Sequence, residues 1–199
     1  MPYQNLLRKD NKAINVIVAH AVDGIKDVLD DALMHCINDI EWEQTYNEWP
    51  NSGRIKVPRL VKLMGAGEYS YSGVELKPIP WTPQIEFLNN MYSQELGLMP
   101  FNTVLLNYYR NARDSVGFHS DDEPELGVDP TILSVSLGAT RTFQLRRKDA
   151  SREIISVDLH HGSTLVMYGN CQRTWCHSIP KSMSSVGPRI NLTFRNIVR

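Results

Sequence analysis

From residue 102 onward the chain breaks into short apolar runs, and this texture constrains the fold more than any other feature. The runs span 103–109, 131–137, 140–145, 154–159, 163–168 and 189–197. Turn-forming residues separate several of them: 122–130, Gly138, 148–151, Gly162, Gly169-Asn170 and Gly187-Pro188. Residues two apart in a strand share a face, so alternating apolar and polar side chains make a sheet with one face in a core. Six or more short strands punctuated this way predict a jelly-roll-like double sheet. An apolar run at 14–22 predicts an earlier strand. Two helices precede the main run of strands. In the first, Ile25, Val28, Leu29, Ala32, Leu33, Cys36 and Ile37 recur at three- and four-residue steps, with Asp23 as N-cap. In the second, Thr82 and Pro83 open the helix, Ile85, Leu88, Met91, Tyr92 and Leu96 form the stripe, and Gly97 stops it. Helices followed by many strands read as α+β, with the helices packed on one sheet of the sandwich.

No repeat or linker divides the 199 residues, a length that suits one domain with its own core. A composition 42% hydrophobic and 22% charged, with no long apolar run or leader-like N-terminus, predicts a water-soluble protein without membrane association. A net charge of −1 gives no global attraction for nucleic acid, which leaves a local basic patch as the route to such a partner. Three cysteines, Cys36, Cys171 and Cys176, are odd in number and form no CxxC pair, which predicts a reducing, intracellular setting.

The run "RINLTFR" carries the first chemical signal. Ile190, Leu192 and Phe194 fall on one parity, and Arg189, Asn191, Thr193 and Arg195 on the other. Composition alone would turn the polar row to water. Two arginines with an amide and a hydroxyl are equally a wall for a carboxylate, because the guanidinium fork pairs with it in two-point fashion. Asn107 and Tyr109 form a second polar pair at the same spacing. In an extended segment His119-Ser120-Asp121 turns an imidazole and a carboxylate the same way, and His177 is the best distal partner. Two histidines and one carboxylate leave half of an octahedron open, the usual ferrous-oxygenase arrangement. An HxD alone is a weak signal, and a single histidine is more often structural, which is how His20, His35 and His160 read; His161, before Gly162, reads the same way less clearly.

The ordered set Asn107-Tyr108-Tyr109, His119-Ser120-Asp121, His177 and Arg189-x-Asn191-x-Thr193-x-Arg195 resembles the AlkB family of iron(II)/2-oxoglutarate dioxygenases, which repair alkylated nucleic-acid bases by oxidative dealkylation. The resemblance covers 58–197 and includes "PRL", "YSYSG", "HSDDEPELG", "SLGATRTF", "HGSTLVM" and "PRINLTFR". It is nearer to the branch of eukaryotic DNA repair homologues than to the bacterial founding member. The first fifty or so residues carry no such signature.

The resemblance implies a double-stranded β-helix: one domain over 1–199, with a nucleotide-recognition lid at about 50–80 and a catalytic core at 100–199. It implies iron held by His119, Asp121 and His177, and 2-oxoglutarate held by Asn107, Tyr109, Arg189, Asn191, Thr193 and Arg195, with Arg195 on the distal carboxylate. The implied activity is oxidative demethylation of 1-methyladenine- and 3-methylcytosine-type lesions in DNA, with RNA left open. Dioxygen and 2-oxoglutarate are consumed; formaldehyde, succinate and carbon dioxide are released. A base inside a duplex cannot reach such a site, so it must be flipped out or already single-stranded. Tyr71, with Tyr69 on the same face, would stack on it opposite the His119 ring; Asp122 and Glu123 would contact the base or order the lid. Among the basic clusters, Arg59 and Arg110 are the first candidates for phosphate contacts. Where duplex-acting relatives carry an aromatic wedge, "NSGRIKVPR" offers only Ile55 as an apolar substitute, so single-stranded substrate is at least as well suited. The alternative is a protein or small-molecule hydroxylase with the same iron chemistry. A monomer is expected.

Overall fold

The structure, a computed structural model, describes residues 8–9, 12–13, 16–19, 24–49, 53–66, 69–71 and 74–198. Three short strands come first: β1 (Arg8–Lys9), β2 (Lys12–Ala13) and β3 (Val16–Ala19). Helix α1 (Lys26–Asn38) follows, then β4 (Tyr46–Trp49), β5 (Gly53–Lys56), β6 (Leu60–Gly65), β7 (Tyr69–Tyr71), β8 (Val74–Leu76) and helix α2 (Pro83–Leu96). The remaining strands are β9 (Thr103–Tyr109), β10 (Val116–His119), β11 (Ile132–Gly138), β12 (Arg141–Arg147), β13 (Ile154–Leu159), β14 (Thr164–Met167), β15 (Trp175–Ile179) and β16 (Arg189–Arg195). A 3-10 turn at Pro124–Leu126 follows β10, and a single helical turn, α3 (Cys171–Thr174), precedes β15.

Two antiparallel sheets carry the fold. The larger has the order β3-β14-β11-β16-β9-β6, the smaller β10-β15-β12-β13. From β9 onward the chain passes back and forth between them, which is the jelly-roll path the turn spacing predicted. The apolar parity of β16 explains where the helices sit. Ile190, Leu192 and Phe194 are fully buried in one cluster with Leu29, Ala32 and Cys36 of α1 and Ile85, Leu88 and Tyr92 of α2. The second core cluster, including Tyr109, Phe143, Leu145, Leu165, Met167 and Trp175, draws on strands of both sheets.

Helix α2 starts and stops as its sequence predicts: Thr82 is extended, Pro83 opens the first turn and Gly97 takes the left-handed conformation at φ 67°. Thr82 Oγ1 makes no capping bond, so the cap there is one of backbone shape. For α1 the residue before the first turn is Ile25; the expected cap, Asp23, lies outside the described residues, as do Ile14 and Val22 of the first expected strand. Among the strands of the two main sheets, β6, β10 and β15 lie outside the predicted runs. In β6, residues 61–64 are all buried, and all five residues of β15 are. A strand covered on both faces loses the period-two pattern that betrays it. At Gly138 (φ 88°) the chain turns from the larger sheet to the smaller, and a Cβ there would lie 2.5 Å from the Pro188 carbonyl oxygen, so only glycine fits. Its N–H donates to His161 Nδ1 at 3.0 Å, so His161 braces a turn.

Candidate active site

The two histidines are placed by strand pairing. β10 and β15 are antiparallel with His119 directly opposite His177, and the ladder is irregular between Val116 and His119. Such bulges re-aim a side chain next to a site. The two rings are 4.3 Å apart between centroids, and His177 also stacks on Phe143 at 5.5 Å. Asp121 follows two residues past the end of β10. Its carboxylate lies 3.6 Å from His119 Nε2 and 3.9 Å from His177 Nε2. One ligand atom from each of the three residues falls within 4.8 Å of the others.

The protonation states suit a metal. Burial lowers the pKa of His119 and pushes that of His177 down to about 3, so both imidazoles are neutral at pH 7. His119 Nδ1 lies 2.9 Å from the Gly117 carbonyl oxygen, to which only an N–H can donate. That tautomer leaves the Nε2 lone pair facing Asp121. Burial would raise the pKa of Asp121, but the charge of Arg195 above all holds it below the usual carboxylate value. Its Oδ1 is buried and has no hydrogen-bond partner among the described residues. Two neutral nitrogen donors and one ionised carboxylate with an unused lone pair fit an iron(II) ion with open positions.

Beside this triad runs a polar wall. Residues Arg189, Asn191, Thr193 and Arg195 of β16 line the same cleft, with Asn107 and Tyr109 of β9 paired opposite Asn191 and Arg189. Both arginines are buried, 1% exposed for Arg189 and 3% for Arg195, so the row faces inward. Arg189 Nη2 donates to Ser136 Oγ at 2.8 Å and to Asn191 Oδ1 at 2.7 Å, while Nε and Nη1 have no hydrogen-bond partner among the described residues. Burial lowers its pKa to about 10, which leaves it charged at pH 7. Tyr109, its ring 5.3 Å from the guanidinium, opposes that shift, and among the described residues no carboxylate partners Arg189. A desolvated charge without a counterion is costly, so this side chain is poised for an anion. The residues therefore fit a dicarboxylate as well as a metal. One expectation is reversed: Arg195 does not point at the distal end but donates from Nη2 to Asp121 Oδ2 at 3.2 Å, beside the metal triad.

The cleft thus gathers nine predicted residues: His119, Asp121, His177, Asn107, Tyr109, Arg189, Asn191, Thr193 and Arg195. Arg59 joins them, but not as a rim cation. It is 4% exposed and its Nε donates to Asn107 Oδ1 at 2.7 Å, so its place inside the cleft does not match a surface phosphate contact. Arg110 is likewise engaged elsewhere, forked onto Asp114 at 2.6 and 2.9 Å. Asp122 is mostly exposed and 3.6 Å from Lys148 Nζ, while Glu123 is half-buried at the start of the 3-10 turn; neither lines the cleft. The side chains of Tyr69 and Tyr71 lie outside the described residues, although their strand does not. Ser134 and Ser136 were missed. Ser134 donates to Asn191 Oδ1 at 2.9 Å, and the S-x-S alternation of β11 carried the same signal as β16.

The model of the 2OG-Fe(II) oxygenase superfamily matches residues 28–195. The chain belongs to this superfamily. Iron(II) and 2-oxoglutarate are the cofactors that its name records, and the triad and the arginine wall fit them. The human alpha-ketoglutarate-dependent dioxygenase alkB homolog 3 is 43% identical over 149 residues, 70% of this chain and 52% of that protein. The DNA oxidative demethylase ALKBH2 of Bos taurus is 42% identical over 164 residues, 78% of this chain and 57% of that protein. The chain therefore spans little more than half the length of these relatives. A solved structure of OsALKBH1 shares the fold, with a TM-score of 0.64 at 18% identity over 98% of this chain and all of that one. Among the described residues, no helix is long and apolar enough to cross a membrane.

Proposed function

We propose that this oxygenase removes alkyl groups from nucleic-acid bases of the 1-methyladenine and 3-methylcytosine type. The observation that carries the reading is one cleft holding two neutral histidines, an ionised aspartate and a fully buried arginine with no carboxylate among its partners. Relatives named as an alkB homolog and as DNA oxidative demethylases support the nucleic-acid substrate. When bound, iron and 2-oxoglutarate would supply the oxidising power: one atom of dioxygen enters succinate as carbon dioxide leaves, the other enters a C–H bond of the base's N-methyl group, and the resulting hydroxymethyl group breaks from the nitrogen as formaldehyde, leaving N–H.

The protein's part is holding and orienting. His119, Asp121 and His177 hold the metal, with Arg195 keeping the aspartate ionised. Arg189 takes the far carboxylate of 2-oxoglutarate through its open Nε and Nη1 edge. Asn191, Thr193, Asn107 and Tyr109 complete the wall, with Arg59 fixing the Asn107 amide. Apolar Leu105, Phe143 and Met167 exclude water. Strand β5 and the hairpin β7–β8 form the lid within about 50–80, on either side of β6, which belongs to the larger sheet; β4, just before that span, pairs with β5. Tyr71 and Tyr69 stack on the base against the His119 ring, and Asp122 and Glu123 order the approach. Arg54 and Lys56, on fully exposed β5, serve the phosphates better than the engaged Arg110. Ile55, 47% exposed on the same strand, is a weak wedge, which favours single-stranded substrate. Three free, buried cysteines accord with an intracellular monomer.

The test is formaldehyde release from single- and double-stranded DNA and RNA carrying each lesion, with iron or 2-oxoglutarate omitted in turn. Release that needs both and favours single strands is the expected result. Hydroxylation of peptides or small molecules with no oligonucleotide turnover overturns the substrate and keeps the chemistry.

A further inference from the structure

The three metal ligands are not held alike. His119 and His177 stand on paired strands, so the ladder sets their positions. Asp121 lies beyond the end of β10 in an irregular segment, where no ladder reaches it. Its backbone N–H donates to Gln172 Oε1 at 2.9 Å, a bond across 51 positions of sequence. Gln172 belongs to the single helical turn α3 and is 2% exposed. Its amide is used on both sides, because Nε2 lies 3.4 Å from Met167 Sδ. A flipped amide would set an NH2 against the Asp121 N–H, donor to donor, so the orientation is determined. Nothing in the geometry of a four-residue turn requires a buried amide reaching out to another segment.

We infer that Gln172 is a positioning residue for Asp121: it fixes the backbone of the aspartate so that the carboxylate meets the two histidines before the metal arrives. The inference rests on the oxygenase reading of the cleft. Neighbouring contacts tie the same segment to the same turn. Ser120 Oγ donates to the Trp175 carbonyl at 3.1 Å, and Lys148 Nζ donates to the Gln172 carbonyl at 2.7 Å while lying 3.6 Å from Asp122. At the far end of the loop, Arg173 forks onto Asp129 with both bonds at 2.7 Å. Gln172 differs from these in bonding the ligand residue itself.

The experiment is a titration of the metal-free chain with Mn(II), a spectroscopic stand-in for iron(II), followed by the electron paramagnetic resonance signal of free Mn(II). Wild type, Gln172→Leu, Gln172→Asn and Arg173→Ala are compared well below each variant's own melting point. Outer partners of a metal site are worth roughly 10- to 100-fold in affinity. The expected result is a loss of that size in both Gln172 variants, with Arg173→Ala near wild type. Should Gln172→Leu fail to fold, Gln172→Asn, an amide one methylene too short, decides alone. Folded Gln172→Asn with wild-type affinity overturns the inference, as does an equal loss in Arg173→Ala, which would make general loop stiffness the cause. Wild type that binds no Mn(II) overturns the oxygenase reading and this inference with it.

Discussion

At the metal end of the cleft, His119, His177, Asn107, Arg189 and Arg195 all stand on strands of the two large sheets, with Asp121 just past the end of one, whereas Tyr69 and Tyr71, expected at the lesion end, stand on a separate two-stranded hairpin. Strand β16 lies between β9 and β11, and six of its seven residues are buried, Asn191 being the exception. Strand β5 is exposed at all four positions and pairs only with β4. The difference teaches where each property is stored. Side chains that must meet with little misplacement sit mostly on rigid paired backbone, and the separate hairpins can vary without disturbing the core.

The largest test of this division is at the triad. His177→Gln should abolish formaldehyde release, a loss well beyond the roughly 10- to 100-fold that outer partners cost. Retained turnover would remove the metal assignment. Next comes Arg189→Met, which should raise the KM for 2-oxoglutarate on the order of 100-fold, from the loss of roughly 3 kcal/mol of buried charge pairing. Because the guanidinium is buried without a carboxylate among its partners, the metal-free variant should melt no lower than wild type. A large fall in melting temperature with an unchanged KM would make Arg189 a structural residue.

Acid should probe the same end through the histidines. Their folded pKa values lie below that of an unfolded imidazole, His177 at about 3. The unfolded chain therefore binds protons that the folded chain refuses once the pH drops below about 6.5. Urea unfolding of the metal-free chain should show stability level above that pH and falling below it, by up to about 1.4 kcal/mol per pH unit for each histidine. His177→Gln should make the fall shallower; an unchanged slope would mean that His177 does not cause it. The smallest effect belongs to the lesion end. Ile55→Phe should raise activity on duplex relative to single-stranded DNA by about two- to fivefold, by supplying a wedge between base pairs. An effect on 2-oxoglutarate KM instead would break the separation of the two ends.

What could be read from the sequence follows the same division. The parity of β16 and the pair Asn107 and Tyr109 located the wall, because a half-buried strand writes its two faces in alternate residues. Strand β15 was illegible even though it carries His177: all five of its residues are buried, and period two vanishes. Arg59 and Arg110 looked like surface cations because a one-dimensional pattern does not show which arginine finds Asn107 and which finds Asp114. The order of Arg189 and Arg195 along the cleft was misread for a related reason, since the ion pair with Asp121 bridges 74 positions of sequence. Gln172 left no trace at all: one amide in a short turn has no periodicity to announce it.

The central place of β16 also bears on how the chain is made. On one side of it lie β9 and β6, and on the other β11, β14 and β3, all of them earlier in the sequence. During synthesis these five strands emerge before the one that joins them. Until β16 enters, β9 and β11 each present an open edge of unpaired amides and carbonyls, the condition in which β proteins pair with the wrong neighbour. The strand that carries the arginine wall is thus also the one whose arrival closes the two open edges.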